Sequence, residues 1–333
     1  MMPTSPNRKE QKQIAKEAKR NARAERKVER KRARELRRLE RKRAKELKTA
    51  EKRGAKGSQF WADRVVVDDW RVQLHVRQGR ARVLDAKNKK VFTGTAYQEA
   101  FDALTDAHRP DDGGRDHVVF FLHGFGGRTK RMTDLCQAAR EAGFLAEMVE
   151  YPSLFRRVDE IANTVAQLVI DSVALRKLHT AKVSLVAFSM GGLVASSVAH
   201  ALLSAKDAPK LAHIITIGTP HLGSPLANYT KSLTLLGGPN ITELTTTNTT
   251  QLTRLKAIRG LSFGVICGDG HQNAWTRLGL VGRGDGVVEL ASANWEGATD
   301  SLIVDKVKHT ALPSNRQVIA GAIEFLTSGR FKK

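Results

Sequence analysis

The sequence predicts an α/β fold, a mostly parallel central sheet with helices on both faces, preceded by a long basic helical arm. Three observations predict it. From residue 117 onward, apolar strand-like runs alternate with amphipathic helix-like segments, the pattern of a parallel sheet built from βαβ units. Several of those runs are continuously apolar, as strands covered on both faces must be. Charge then separates the two ends of the chain. Residues 1–57 hold 23 Lys and Arg against 8 Asp and Glu, whereas residues 58–333 hold 33 against 26.

The arm comes first. Residues 19–29 (KRNARAERKVE), 30–40 (RKRARELRRLE) and 41–51 (RKRAKELKTAE) repeat, with Ala22, Ala33 and Ala44 and also Glu29, Glu40 and Glu51 in register. Eleven residues make three turns of about 3.67 residues, and Ala, Arg, Lys, Glu and Leu all favour helix. Neither proline nor glycine interrupts the run between Asn7 and Gly54. A long helix is expected, yet its seam of Val28, Leu36, Leu39 and Leu47 is too thin to build a core. Clustered Lys and Arg without aromatic residues suit phosphates or lipid head groups rather than stacked bases. The arm is therefore expected as a solvated charged helix or as a polyanion contact, to an anionic membrane surface or non-specifically to nucleic acid. RGAKGS (53–58) reads as the hinge to the body.

Residues 58–333 are numerous enough to bury a substantial core without disulfides or metals. The chain has 2 cysteines, Cys136 and Cys267, with no metal-ligand spacing around them, so buried free thiols in a reducing compartment are expected. No cofactor or metal is implied. The first thirty residues carry no apolar signal core, and no run approaches the ~20 apolar residues of a membrane span. A soluble cytoplasmic protein, or one peripheral at a membrane surface, is expected.

Along the body, Val65 to about Thr95 reads as short strands with a break at Gln78–Gly79 and a turn at DAKNKK. HVVFFL (117–122) reads as a buried strand, and KRMTDLCQAAREAG (130–143) as an amphipathic helix ended by Gly143. LAEMVEY is a strand and RVDEIANTVAQLVIDSVALRKL a long helix. KVSLVAF is a strand and GGLVASSVAHALLS a helix. LAHIITIG and FGVIC are strands separated by a long threonine-rich stretch, with an insertion like a lid or cap at about 228–260. SLIVDKV is the last strand, and NRQVIAGAIEFLTSG the closing helix.

In open sheets of this kind ligands sit beyond the carboxyl ends of the strands, and the polar motifs fall there. The segment AFSMGG places Ser189 between a strand and a helix, with Ala187 two residues before and Gly191 two residues after it. Small residues at those positions let a nucleophilic serine occupy a tight strand-to-helix turn. The helix N-terminus would then favour an anion formed beside it. HGFGG (123–127) follows another strand, and a His-Gly-x-Gly turn is one way to aim backbone N–H groups at a developing oxyanion. The expected donors are the N–H groups of Phe125 and Met190, with Gly124 and Gly126 shaping the loop. HGFGG lacks the G-x-G-x-x-G and G-K-[ST] patterns of nucleotide loops, and His123 reads as a structural residue of the turn. His309, just past the last strand and before the closing helix, is the expected base. For the acid, GRGDGVVEL offers Asp285 and ICGDGH offers Asp269; topology alone leaves both open.

HGFGG, AFSMGG, TIGTPHLGSPLA, GDGVV and HTALPSNRQVIAGAIEFLTSGRF, in that order, resemble the bacterial triacylglycerol-lipase and esterase branch of the α/β-hydrolase superfamily. Glycosylphosphatidylinositol-deacylase-like proteins are among the relatives. The resemblance covers roughly residues 115–333 and does not reach the arm. It implies an α/β-hydrolase fold and a serine hydrolase acting on carboxylic esters, acyl lipids or small esters. It also implies Asp285 as the acid, because the family's acid is the aspartate of the D-G-V-V element, with Asp269 in reserve. An acyltransferase or thioesterase using the same residues, and a non-catalytic scaffold carrying the basic arm, are the competing expectations.

Overall fold

The structure is a computed structural model, and it describes residues 58–127, 129–178, 181–224, 249–270 and 282–332. The chain divides into two units, Met1–Ala55 and Lys56–Lys333. The basic arm expected over 1–57 lies outside the described residues, as does the expected insertion up to residue 248.

Among its described residues the second unit contains two sheets. β1 (Trp61–Val67), β2 (Trp70–His75), β3 (Ala81–Leu84) and β4 (Lys90–Gly94) form an antiparallel meander in that order. Val65, Val67, Val72, Ala81 and Val83 point to one face and meet Ala100 and Leu104 of α1 (Tyr97–Ala107). The sequence reading starts the strands at Val65 and has no helix at 97–107. That helix lacks a side-chain cap and buries Ala100 and Leu104, with Tyr97 and Phe101 packed beside them at helical spacing.

The larger sheet has six parallel strands. They are β5 (His117–Leu122), β6 (Leu145–Val149), β7 (Lys182–Phe188), β8 (Lys210–Ile217), β9 (Ser262–Asp269) and β10 (Asp300–Asp305), in the spatial order β10-β9-β8-β7-β5-β6. Among the described residues the unit also has helices α2 (Thr133–Glu141), α3 (Val158–Leu175), α4 (Met190–Ser204), α5 (Thr249–Ala257), α6 (Leu290–Ala293) and α7 (Arg316–Ser328). The continuous apolar run of β5 is explained by its two faces. Val118, Phe120 and Leu122 pack with α3 and α4, while Val119 and Phe121 pack with α2 and α7. Each such side chain removed from water contributes roughly 1.5–3 kcal/mol. Asn315 caps α7 by accepting the N–H groups of Gln317 and Val318, which fixes the turn holding His309 against the sheet end.

Strand order reverses between β5 and β7. The chain leaves β5 for β6 on one side, then crosses to β7 on the other. The carboxyl ends of β5 and β7 therefore flank an open crevice. Among the described residues no helix is long and apolar enough to cross a membrane.

Candidate active site

After β7 the chain turns through Ser189 directly into α4. Ser189 takes φ 56° and ψ −127°, a conformation that a residue other than glycine holds only when its surroundings enforce it. They do so from three directions. The Ser189 N–H donates to the Ile217 carbonyl at 2.8 Å, and its own carbonyl accepts from the Gly192 N–H at 3.0 Å and from the Thr219 hydroxyl at 2.9 Å. Close packing adds to this. A Cβ on Gly191 would lie 2.6 Å from the Leu122 carbonyl oxygen and 2.7 Å from that of His123, and one on Gly124 would lie 3.0 Å from the Ser189 Cβ. The glycines flanking the serine are thus required by the approach of β5 to the start of α4.

The 3-10 turn His309–Ser314 brings His309 to the serine. Its Nε2 is 3.0 Å from Ser189 Oγ, and its Nδ1 is 2.7 Å from Asp285 Oδ2. The other carboxylate oxygen of Asp285 accepts the N–H groups of Val287 at 2.9 Å and Val288 at 2.8 Å. The backbone also joins the two residues, the His309 N–H donating to the Asp285 carbonyl at 3.2 Å. Asp285 is 2% exposed and His309 8% exposed, while Ser189 is only half-buried. Phe188 packs on the imidazole with ring centroids 4.9 Å apart. The imidazole–carboxylate pair therefore sits where charges interact more strongly than in water. Because Oδ2 accepts, Nδ1 carries the proton and Nε2 offers its lone pair to the serine hydroxyl.

Asp269 is outside this chain of bonds. It ends β9, and both its oxygens accept from Arg283, one from Nε at 2.8 Å and the other from Nη2. Those hydrogen bonds hold its carboxyl below the ordinary carboxylate range.

Phe125 lies on the loop after β5, and Met190 opens α4 directly after Ser189. Their backbone N–H groups donate to no protein acceptor among the described residues; at Met190 this follows from its place in the first turn of a helix. The neighbouring donors are used. The Gly126 N–H, at φ 60°, donates to Ser153 Oγ at 3.0 Å, and the Gly127 N–H to the Gly124 carbonyl at 3.1 Å. His123 fastens the same loop. It is buried, donates from Nδ1 to the Gly124 carbonyl at 2.9 Å, and stacks on Tyr151 at 4.0 Å; burial pushes its pKa down.

Tyr151, Ser153 and Thr219 support the site and were not singled out from the sequence. Tyr151 donates to the His123 carbonyl, Ser153 accepts from Gly126, and Thr219 braces the Ser189 carbonyl. Each acts across about 27 to 30 residues of chain, so only TPHLGSP gave a local hint. His221 of that motif faces the core, hydrogen-bonded from Nε2 to Thr216 Oγ1 at 2.9 Å beside Phe263 and Trp295. Among the described residues no group of three or more His, Cys, Asp or Glu could hold a metal ion.

Residues 113–259 match the family model described as "Putative serine esterase (DUF676)". No curated protein sequence matches the chain significantly. Among solved structures, the mature form of Bacillus licheniformis lipase BlEst2 is 21% identical, covering 63% of this chain and 89% of that one at a TM-score of 0.48. Legionella pneumophila phospholipase PlaB is 20% identical over 54% of this chain and 44% of that one, at 0.45. Aspergillus fumigatus lipase B is 14% identical over 66% of this chain and 55% of that one, at 0.46. The order of the six parallel strands and the serine at the turn after β7 are those of an α/β-hydrolase fold, and the family match is confined to residues 113–259.

Proposed function

We propose that the protein is a serine hydrolase that cleaves carboxylic esters through an acyl-enzyme on Ser189. The observation that carries this reading is the unbroken path from Ser189 Oγ to His309 Nε2 and from His309 Nδ1 to Asp285 Oδ2. Ser189 attacks the acyl carbon as His309 takes its proton. Asp285 keeps the imidazole in the required tautomer and stabilises its positive form. The N–H groups of Phe125 and Met190 receive the oxyanion, a role in which one donor is worth about 10²–10³ in turnover. His309 then passes its proton to the departing alcohol, and water reverses the sequence on the acyl-enzyme.

The substrate is an acyl lipid or a small ester. Cys136 and Cys267 are both buried and unpaired, which suits a reducing cytoplasm. The net +15 of residues 1–57, from 23 basic against 8 acidic residues, suits attachment to an anionic membrane surface beside such a substrate. A fluorophosphonate probe tests the central claim. It should label the wild-type protein and fail to label Ser189→Ala. Equal labelling of the two, or none of either, would overturn the assignment of the nucleophile.

A further inference from the structure

The crevice is open on the side of His309. A cavity of about 490 Å³ adjoins it there, walled by Gly126 and Gly127, by Lys130, Arg131 and Asp134, and by Thr310, Pro313 and Ser314. Its walls are the loop that offers the Phe125 N–H and the turn that begins at His309. A base at Nε2 delivers its proton to the leaving oxygen, so the departing alcohol of a bound ester lies on this side.

The chemistry of the cavity is specific. Among the described residues of its walls Pro313 is the one apolar side chain, and the lysine and arginine bring their charges to it. Lys130, Arg131 and Asp134 are exposed, and among the described residues none of the three has an ion-pair partner. The cavity therefore carries two cations against one carboxylate. An arginine fork beside a lysine point charge is the pair of donors that oxyanions of phosphate or carboxylate type accept from. A larger polar cavity beside β2 and β3, about 540 Å³, also contains arginines. There Arg71 is already paired with Asp63, and Asp69 with Arg140.

We propose that the cavity beside His309 selects esters whose alcohol carries an oxyanion, phosphate or carboxylate, held by Lys130 and Arg131. The inference rests on the proposed ester hydrolase and names the substrate class of that same site. Lys130 and Arg131 act as specificity residues on the alcohol, and Asp134 tempers their charge.

The test compares kcat/KM of the full chain for soluble butanoylglycerol phosphate, butanoylglycerate and neutral butanoylglycerol, with an ester whose carboxylate is on the acyl side as control. The anionic-to-neutral ratio should exceed about tenfold and should fall by roughly tenfold for each cation removed in Lys130→Ala and Arg131→Ala. It should rise in Asp134→Asn and shrink as salt is added. The ratio of phosphate to carboxylate substrate identifies which oxyanion fits. Three results would overturn the proposal: a wild-type ratio near one, a ratio indifferent to all three substitutions, or a preference that follows the acyl-side carboxylate. If neutral esters are cleaved and the probe labels Ser189 while the ratio stays near one, the hydrolase reading stands without this inference. If no ester is cleaved, both fall.

Discussion

Asp285→Asn is the perturbation whose outcome the geometry specifies most fully. The carboxylate has two different neighbours. Oδ1 accepts two backbone N–H groups, from Val287 and Val288, and Oδ2 accepts the Nδ1–H of His309. An asparagine at this position can satisfy only one side. With its oxygen kept on the two N–H groups, its NH₂ faces Nδ1 and donates to it, so the imidazole proton moves to Nε2. That nitrogen then has no lone pair for the Ser189 hydroxyl, 3.0 Å away. The opposite flip sets NH₂ against two N–H donors and forfeits two hydrogen bonds, each of ~1 kcal/mol or more when buried. The first arrangement is favoured, and it traps the wrong tautomer. Turnover of a chromogenic ester should fall by about 10⁴, while the melting temperature changes little because the side chain keeps its shape. Asp269→Asn, which only loosens a pairing with the exposed Arg283, should leave turnover within a few-fold of wild type. A mild effect of Asp285→Asn together with a severe one of Asp269→Asn would refute the reasoning and give the acid role to Asp269.

Gly191→Ala forces a Cβ to within 2.6 Å and 2.7 Å of two carbonyl oxygens, an overpacking that costs about 1–3 kcal/mol. The variant should melt several degrees lower and lose most activity; near-normal values would mean that the turn after β7 has room to spare. His221 is held neutral by burial, its pKa pushed down to about 3. A group depressed below its unfolded value takes up a proton on unfolding, so its contribution is complete above pH ~6.5 and is lost as pH falls toward 3. His221→Gln should therefore flatten the acid limb of unfolding free energy against pH, and a slope identical to wild type would show that the ring is not protected. Removing residues 1–57 should spare hydrolysis of a soluble ester, since the described site lies wholly after them, while ending co-sedimentation with acidic vesicles at low salt. Equal sedimentation of both proteins would rule out the tether, and tighter binding to DNA than to vesicles would redirect it.

The parts of the fold that were legible in the sequence are those whose signal is local. HVVFFL reads as a doubly buried strand because its alternate residues reach two different cores. The segment around Ser189 reads as a tight turn because the space next to it admits only small residues, and the approach of Gly191 to the Leu122 and His123 carbonyls is the physical form of that signal. Helix α1 has no side-chain cap to mark its start, yet Tyr97, Ala100, Phe101 and Leu104 recur at helical spacing on one buried face, a signal that the sequence reading passes over. The choice of acid, by contrast, was illegible. Asp269 and Asp285 both belong at the carboxyl edge of the sheet, and which one meets His309 depends on where segment 282–289 lies. That segment folds on itself, pairing Gly284 with Glu289 and the Asp285 N–H with the Val288 carbonyl. The fold turns Arg283 toward Asp269 and Asp285 toward His309. One short stretch, GRGDG, thus carries both the carboxylate that meets the imidazole and the cation that occupies its rival. Neither consequence can be read from spacing, because both depend on tertiary contacts with β9 and with the turn at His309. The resemblance to known hydrolases chose Asp285 from sequence, and the guanidinium on Asp269 supplies the physical reason why only one of the two carboxylates is left to face the histidine.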